Sequence, residues 1–332
     1  MNFGNDERKR QADFRNSSST ISEQGRTPTD EKGKRHGHLL ALGYEEENLI
    51  PEIRGEQGAR KFFKDRGIAW WRDTGRSGDA RDGNGPTRNM ASSQIACLNF
   101  LMPLASDPTA LTRILRSLDE DVVSVVELEH RGRRSYVEFE WVGMDSTLEE
   151  GPYTRGQNAT SIDALLVADT RTGRRGYLME WKYVEEYRRD DSKSEGERGQ
   201  TRLRRYEPLY RSADSPFRQE IPIVEWFYEP FYQILRLLLL GQKMVRNEEF
   251  GIRNAKVVVV CPNENRNYRE RITSPFFRSR YPHSTKVGEV VRAGLRASGK
   301  FTSTSSRDLI GAFHPCFAHR LRPWAAYHEA RY

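Results

Sequence analysis

The most constraining feature is the run Tyr177-Leu178-Met179-Glu180-Trp181-Lys182-Tyr183-Val184. Read as a strand, its side chains alternate between faces, so Glu180 and Lys182 point the same way beside Leu178 and Val184. Tyr177, Met179, Trp181 and Tyr183 make the other face. Both faces are largely apolar, so the strand belongs in the middle of a sheet covered on both sides. An ionised Glu and Lys there are costly unless paired or bound to a metal. The preceding apolar run, Ser161 to Ala168, repeats the anomaly with Asp163. If the two runs form a hairpin around Thr172-Gly173, the three charged groups converge. Two carboxylates suit Mg²⁺, which takes a few carboxylate oxygens plus waters and substrate phosphate oxygens. Asp163 and Glu180 are the metal-ligand candidates, with the Trp181 carbonyl as a further oxygen. Lys182 is placed to orient or deprotonate a water and to balance transition-state charge. The alternative is a buried ion pair between Lys182 and one acid, which leaves the second acid unexplained. Other acid-x-Lys triplets, Glu7/Lys9, Asp30/Lys32 and Asp191/Lys193, lie in polar stretches without a flanking strand.

Around this centre the sequence reads as an α/β chain. Residues 1–36 are polar enough to predict a disordered arm. Residues 37–90 read as a helical extension packed on the core, with a helix over Gly55 to Arg66, a short strand Ile68 to Trp71 and a loop Gly75 to Pro86. From 91 to 332 the chain reads as one main domain. It has a helix capped by Ser92-Ser93 and a second opened by Pro108. Strands are expected at Val122–Leu128 and Tyr136–Val142, the latter with Val137, Phe139 and Trp141 on one face and Glu138 and Glu140 on the other, for which a solvated sheet face is the ordinary alternative. Turns are expected at Arg131-Gly132-Arg133 and around Thr172-Gly173. A basic insertion at 186–220 reads as a loop. A long helix follows over Glu229 to Asn247, then a buried strand Val257 to Cys261 and helices near Val287–Ala297 and Ser306–Phe313.

The 332 residues carry a net charge of +7, which favours a polyanionic partner such as nucleic acid. Arg188, Arg189, Arg198, Arg202, Arg204 and Arg205, interleaved with Tyr206 and Tyr210, form a basic patch suited to phosphate contacts; a solvated loop is the alternative. Three cysteines, without a CxxC pair, indicate neither a zinc ribbon nor a redox dithiol and suit a reducing compartment. No run approaches the roughly 18 apolar residues of a membrane span, and no signal peptide is evident, so a cytoplasmic protein is expected.

Asp163 on one strand and Glu180-Trp181-Lys182 on the next resemble the signature of the PD-(D/E)XK nuclease superfamily, with Ile162 where the namesake proline would stand. The chain also resembles a bacterial group of restriction-endonuclease-like proteins from about residue 45 to 313. The shared segments are Ile68-Ala69-Trp70, Ser92-Ser93-Gln94 with Asn99-Phe100, Glu138-Phe139-Glu140, Thr160-Ser161-Ile162-Asp163, Glu180-Trp181-Lys182-Tyr183, and Tyr232-Gln233 with Arg236. The resemblance implies a restriction-endonuclease-like core, a mixed central β-sheet flanked by helices. It further implies a Mg²⁺-dependent endonuclease, with Mn²⁺ as a substitute, acting on DNA rather than RNA in defence against foreign DNA. A catalytically inactive nucleic-acid-binding or regulatory subunit with the same fold is the alternative. A homodimer or a subunit of a defence system remains open. Members of the superfamily use a further acidic or amide residue, for which Gln94 and Glu140 are candidates. Tyr232, Gln233 and Arg236 are implied to face the site, and Arg236 joins Arg202, Arg204 and Arg205 as a nucleic-acid contact.

Overall fold

The computed structural model describes residues 2–27, 37–70, 85–145, 147–149, 159–187, 192–313 and 319–332. In chain order it begins with helices α1 (Phe3–Ser17), α2 (Ala59–Arg66), α3 (Ser93–Leu101) and α4 (Pro108–Leu118). Strands β1 (Val122–Val125), β2 (Leu128–His130), β3 (Arg133–Ser135), β4 (Glu138–Trp141), β5 (Ile162–Thr170) and β6 (Gly173–Trp181) follow. Next come α5 (Gly196–Arg211), α6 (Phe231–Arg246), β7 (Asn254–Val260), α7 (Arg266–Arg269), α8 (Pro275–Arg280) and α9 (Val287–Ala293). The chain closes with β8 (Phe301–Thr304), α10 (Ser306–Gly311) and α11 (Arg322–Arg331).

Six strands form one mixed sheet in the order β1-β5-β6-β7-β8, with β4 sharing the outer edge of β5. β5 and β6 are the expected antiparallel hairpin, closed by Arg171-Thr172 with Thr170 opposite Gly173. Gly173 sits at φ 112°, a conformation that side chains disfavour. β7 joins β6 in parallel, and β8 joins β7 in parallel. α6 supplies the crossover from β6 to β7, so the sheet turns from antiparallel to parallel at β6.

Helices cover both faces. Phe100, Ala164, Leu166, Tyr177, Met179, Trp181 and Val258 share one core with α3 and α4. Leu165, Val167, Leu178, Val257 and Val259 share the other with α6 and α9. Each fully buried large side chain contributes about 1.5–3 kcal/mol. Ser92 caps α3 by accepting from the Ile95 amide, and Asp107 caps α4 by accepting from Ala110. Among the described residues no helix is long and apolar enough to cross a membrane.

Several expectations are corrected. The segment expected as a disordered arm folds over 3–17 as α1, packed on α11. What it buries is largely polar and hydrogen-bonded, which composition does not reveal. Gln11 Nε2 donates to Tyr183 Oη at 2.7 Å, Tyr183 Oη donates to Glu7 Oε2 at 2.6 Å, and Arg331 Nε donates to Gln11 Oε1 at 3.1 Å. Residues 28–36 lie outside the described residues. The basic insertion contains α5 rather than only loop, because Tyr206 and Tyr210, four apart, bury one side of a helix. Ile68 to Trp70 is not a strand; Trp70 stacks on Phe63 with ring centroids 4.1 Å apart. Trp71 and most of the Gly75–Pro86 loop lie outside the described residues. In β4 the one-face reading fails: Val137 and Phe139 enter one core and Trp141 the other. Glu140 between them sits at φ 51°, which breaks the alternation. Glu138 is not solvated either; it is buried against Arg66, Nε to Oε2 2.9 Å.

Candidate active site

Register puts three carboxylates side by side. The pairs Phe139↔Ala164 and Trp141↔Ile162 bracket Glu140 on β4 and Asp163 on β5. Ala164↔Met179 is the last pair between β5 and β6, and Asp163 and Glu180 are the next residues beyond it. The row therefore crosses β4, β5 and β6 where the sheet changes from antiparallel to parallel. The left-handed conformation of Glu140 is uncommon for a residue with a side chain and stores strain, a feature that concentrates at functional sites.

Neighbouring helices reach into this row. From the first turn of α3, Gln94 Nε2 donates to Glu140 Oε1 at 2.7 Å. From the first turn of α6, Gln233 Nε2 donates to Glu180 Oε1. Lys182 Nζ donates to the same oxygen at 2.7 Å. The Trp181 amide donates to Asp163 Oδ2 at 2.6 Å, a hairpin contact that fixes one carboxylate relative to the next strand. Lys182 lies just past the end of β6, where its amide donates to the Val260 carbonyl at 2.8 Å. The strand expected to continue to Val184 stops here, and the chain turns away under α1.

The electrostatics follow from this crowding. Glu180 is 3% exposed. Its carboxyl is raised by burial and by Asp163, against the pull of Lys182. Burial works against the Lys182 charge, but Glu180 and other nearby acidic groups hold the ammonium well above its usual value. The Cys97 thiol on α3 is pushed up by burial and then by Asp163, Glu140 and Glu180, so it senses the same negative field.

A cavity of about 640 Å³ opens onto the row. Gln94, Glu140, Asp163, Glu180, Lys182, Gln233 and Arg236 all line it, so seven residues singled out from the sequence meet at one place. Arg236 is held at its edge, Nε donating to Thr160 Oγ1 at 2.9 Å. Arg202, Arg204 and Arg205 on α5 do not line this cavity; Arg188 and Arg189 lie outside the described residues. The sequence reading missed Arg8, which lines the cavity from α1, and Glu149, buried beneath Arg236 and accepting from Thr160 N and Oγ1 at 2.7 Å each. Neither had a signal: α1 reads as a polar arm, and Glu149 stands beside other acids without an apolar pattern.

The donor set fits a hard cation. Glu180 Oε2 and Gln233 Oε1 are buried acceptors with no hydrogen-bond partner in the described structure. Among the described residues no group of three or more His, Cys, Asp or Glu side chains is placed to hold a metal ion by itself. Mg²⁺ does not need one, since water and phosphate supply most of its ligands.

Searches of curated proteins and of solved structures return no match. The model of one family, described as restriction endonuclease associating with ARP, matches residues 8–332. That span begins inside α1 and includes every residue of the carboxylate row. The mixed sheet flanked by helices is consistent with a restriction-endonuclease-like fold, and the chain belongs to the family of restriction endonucleases associating with ARP.

Proposed function

We propose that the chain is a PD-(D/E)XK-type endonuclease that hydrolyses phosphodiester bonds of DNA with Mg²⁺, or Mn²⁺ in its place, in defence against foreign DNA. The observation that carries the reading is the convergence of Asp163, Glu180 and Lys182 on one cavity, with a second buried oxygen of Glu180 left without a partner. Asp163 and Glu180 would hold the cation, with Glu140 beside them. A bound divalent cation supplies Lewis-acid stabilisation of charge on the phosphate oxygens.

The chain's own residues do the remainder. Gln233 and Lys182 both donate to Glu180 Oε1, which orients that carboxylate and leaves Oε2 free. Gln94 fixes Glu140 in the same way. Lys182 stays charged and is positioned to orient an attacking water and to offset charge as it builds on the phosphate. Arg236 stands at the cavity edge to hold a neighbouring phosphate. The family's description includes a partner, ARP; association of this chain with such a protein is part of the proposal.

Lys182→Ala tests the reading. Cleavage is expected to fall by at least about 10²-fold, the scale for one preorganised charge-stabilising group. Burial and Asp163 already favour the neutral form of Glu180, so the loss of Lys182 leaves no stranded charge and Tm is expected to stay close to wild type. A purely structural pair gives the opposite pattern: a loss of about 3–5 kcal/mol of stability with cleavage retained by the folded fraction. Thermal unfolding measured beside single-turnover cleavage separates the two.

A further inference from the structure

A second cavity, of about 720 Å³, meets the first at Ala159 and Arg236, which line both. One wall is a single face of α5, where Arg198, Arg202 and Arg205 recur at helical spacing. Arg204, inside the same basic run, is exposed and lines neither cavity. The sequence shows one undivided cluster of arginines; the helix sorts them.

The charge of this trough is available to a ligand. Among the described residues Arg198, Arg202 and Arg205 form no ion pair, although Lys193 beside them pairs with Glu229 at 2.7 Å. Glu149 is buried and already accepts from Thr160 and from Tyr206 Oη at 2.9 Å. Exposed Glu197 is the other acid lining the trough. The Tyr232 ring has Lys193 at 5.2 Å and Arg202 and Arg236 at 5.6 Å each from its centroid. Its face is taken up by cations, which it helps to hold in place. The trough therefore presents positive charge rather than an open stacking surface.

We propose that this second cavity is a phosphate subsite of the nucleic-acid backbone. It seats phosphates that flank the one brought to Asp163 and Glu180, with Arg236 standing between the two positions. The inference rests on the nuclease reading for what lies in the first cavity. Binding of this kind releases counterions and carries no base preference.

The test is binding of a short fluorescein-labelled DNA duplex in chelator, followed by anisotropy over a series of salt concentrations. Arg202→Ala with Arg205→Ala is expected to lower the log–log salt slope by about 2, one for each phosphate no longer neutralised by an arginine. Arg204→Ala, which removes a charge from the same helix, is expected to leave the slope unchanged. Arg202 also donates to the Lys193 carbonyl at 2.8 Å. Arg205→Ala alone therefore serves as the variant that disturbs no hydrogen bond among the described residues, with a slope lowered by about 1. An unchanged slope in the double variant, or an equal fall in Arg204→Ala, overturns the subsite. Because chelator excludes cleavage, a protein that never cuts DNA would sink the nuclease reading and leave this result standing. An active enzyme whose slope ignores Arg202 and Arg205 would sink the subsite alone.

Discussion

Asp163→Ala is expected to lower phosphodiester cleavage by about 10³-fold and to abolish measurable Mg²⁺ binding. Charge stabilisation by a bound cation amounts to several kcal/mol, and each 1.36 kcal/mol is tenfold in rate. Asp163 stands between Glu140 and Glu180 in the row; burial is the main cause that raises Glu180, and the loss of Asp163 removes the charge that adds to it. This has a second readout in the metal-free protein. Glu180 is raised in the fold from an ordinary 4.5 to about 8, so over that interval the folded protein holds a proton that the unfolded chain has released. The stability it contributes is full below about pH 4.5 and is lost as pH rises toward about 8. In Asp163→Ala that decline is expected to be shallower, and Tm near pH 8 to hold or rise. Retained cleavage, or a collapse of the fold, would count against the role given to Asp163.

The largest expected effect on stability lies outside the cavity. Glu138 and Arg66 are 1% and 4% exposed at the side chain, and Arg66 Nε contacts both carboxylate oxygens, at 2.9 and 3.2 Å. Burial raises the Glu138 carboxyl against the pull of Arg66, so the intact pair adds little over a packed apolar pair. Breaking it is different, because Arg66 cannot shed its charge. Glu138→Ala strands a buried guanidinium that is left stacked on Phe62 at 3.7 Å. The cost is about 3–5 kcal/mol, a fall in Tm of roughly 5–10 °C. Cleavage per folded molecule is expected to stay within a few-fold of wild type, since Glu138 does not line the cavity. Thermal unfolding with an active-fraction correction checks both halves.

How far the sequence can be read depends on what each residue is set against. Glu180 and Lys182 stand out because charge inside an apolar strand is costly and therefore needs a reason. Asp163 stands out on the same ground, and the hairpin that joins them follows from the Thr172-Gly173 turn. Gln94 and Gln233 carry no such signal, because an amide in the first turn of a helix is ordinary; resemblance alone points to them. α1 is illegible because its contacts are buried polar hydrogen bonds to Tyr183 and Arg331 rather than an apolar stripe. The outward pointing of Arg204 is hidden for a related reason. A run of arginines does not show which side of a helix faces a cavity until Tyr206 and Tyr210 fix the buried side. The resemblance names Glu140, but its face is misread because strand alternation assumes ordinary backbone, and at φ 51° that assumption fails.

The most direct measurement is cleavage of plasmid DNA by the purified protein in Mg²⁺, in Mn²⁺ and in excess chelator, with Asp163→Ala in parallel. The account predicts conversion of the plasmid with either metal, none in chelator, recovery when Mg²⁺ is added back, and conversion by the variant slowed by about 10³-fold with either metal. Cleavage undiminished in excess chelator would contradict it, because Asp163 and Glu180 would then have no cation to hold.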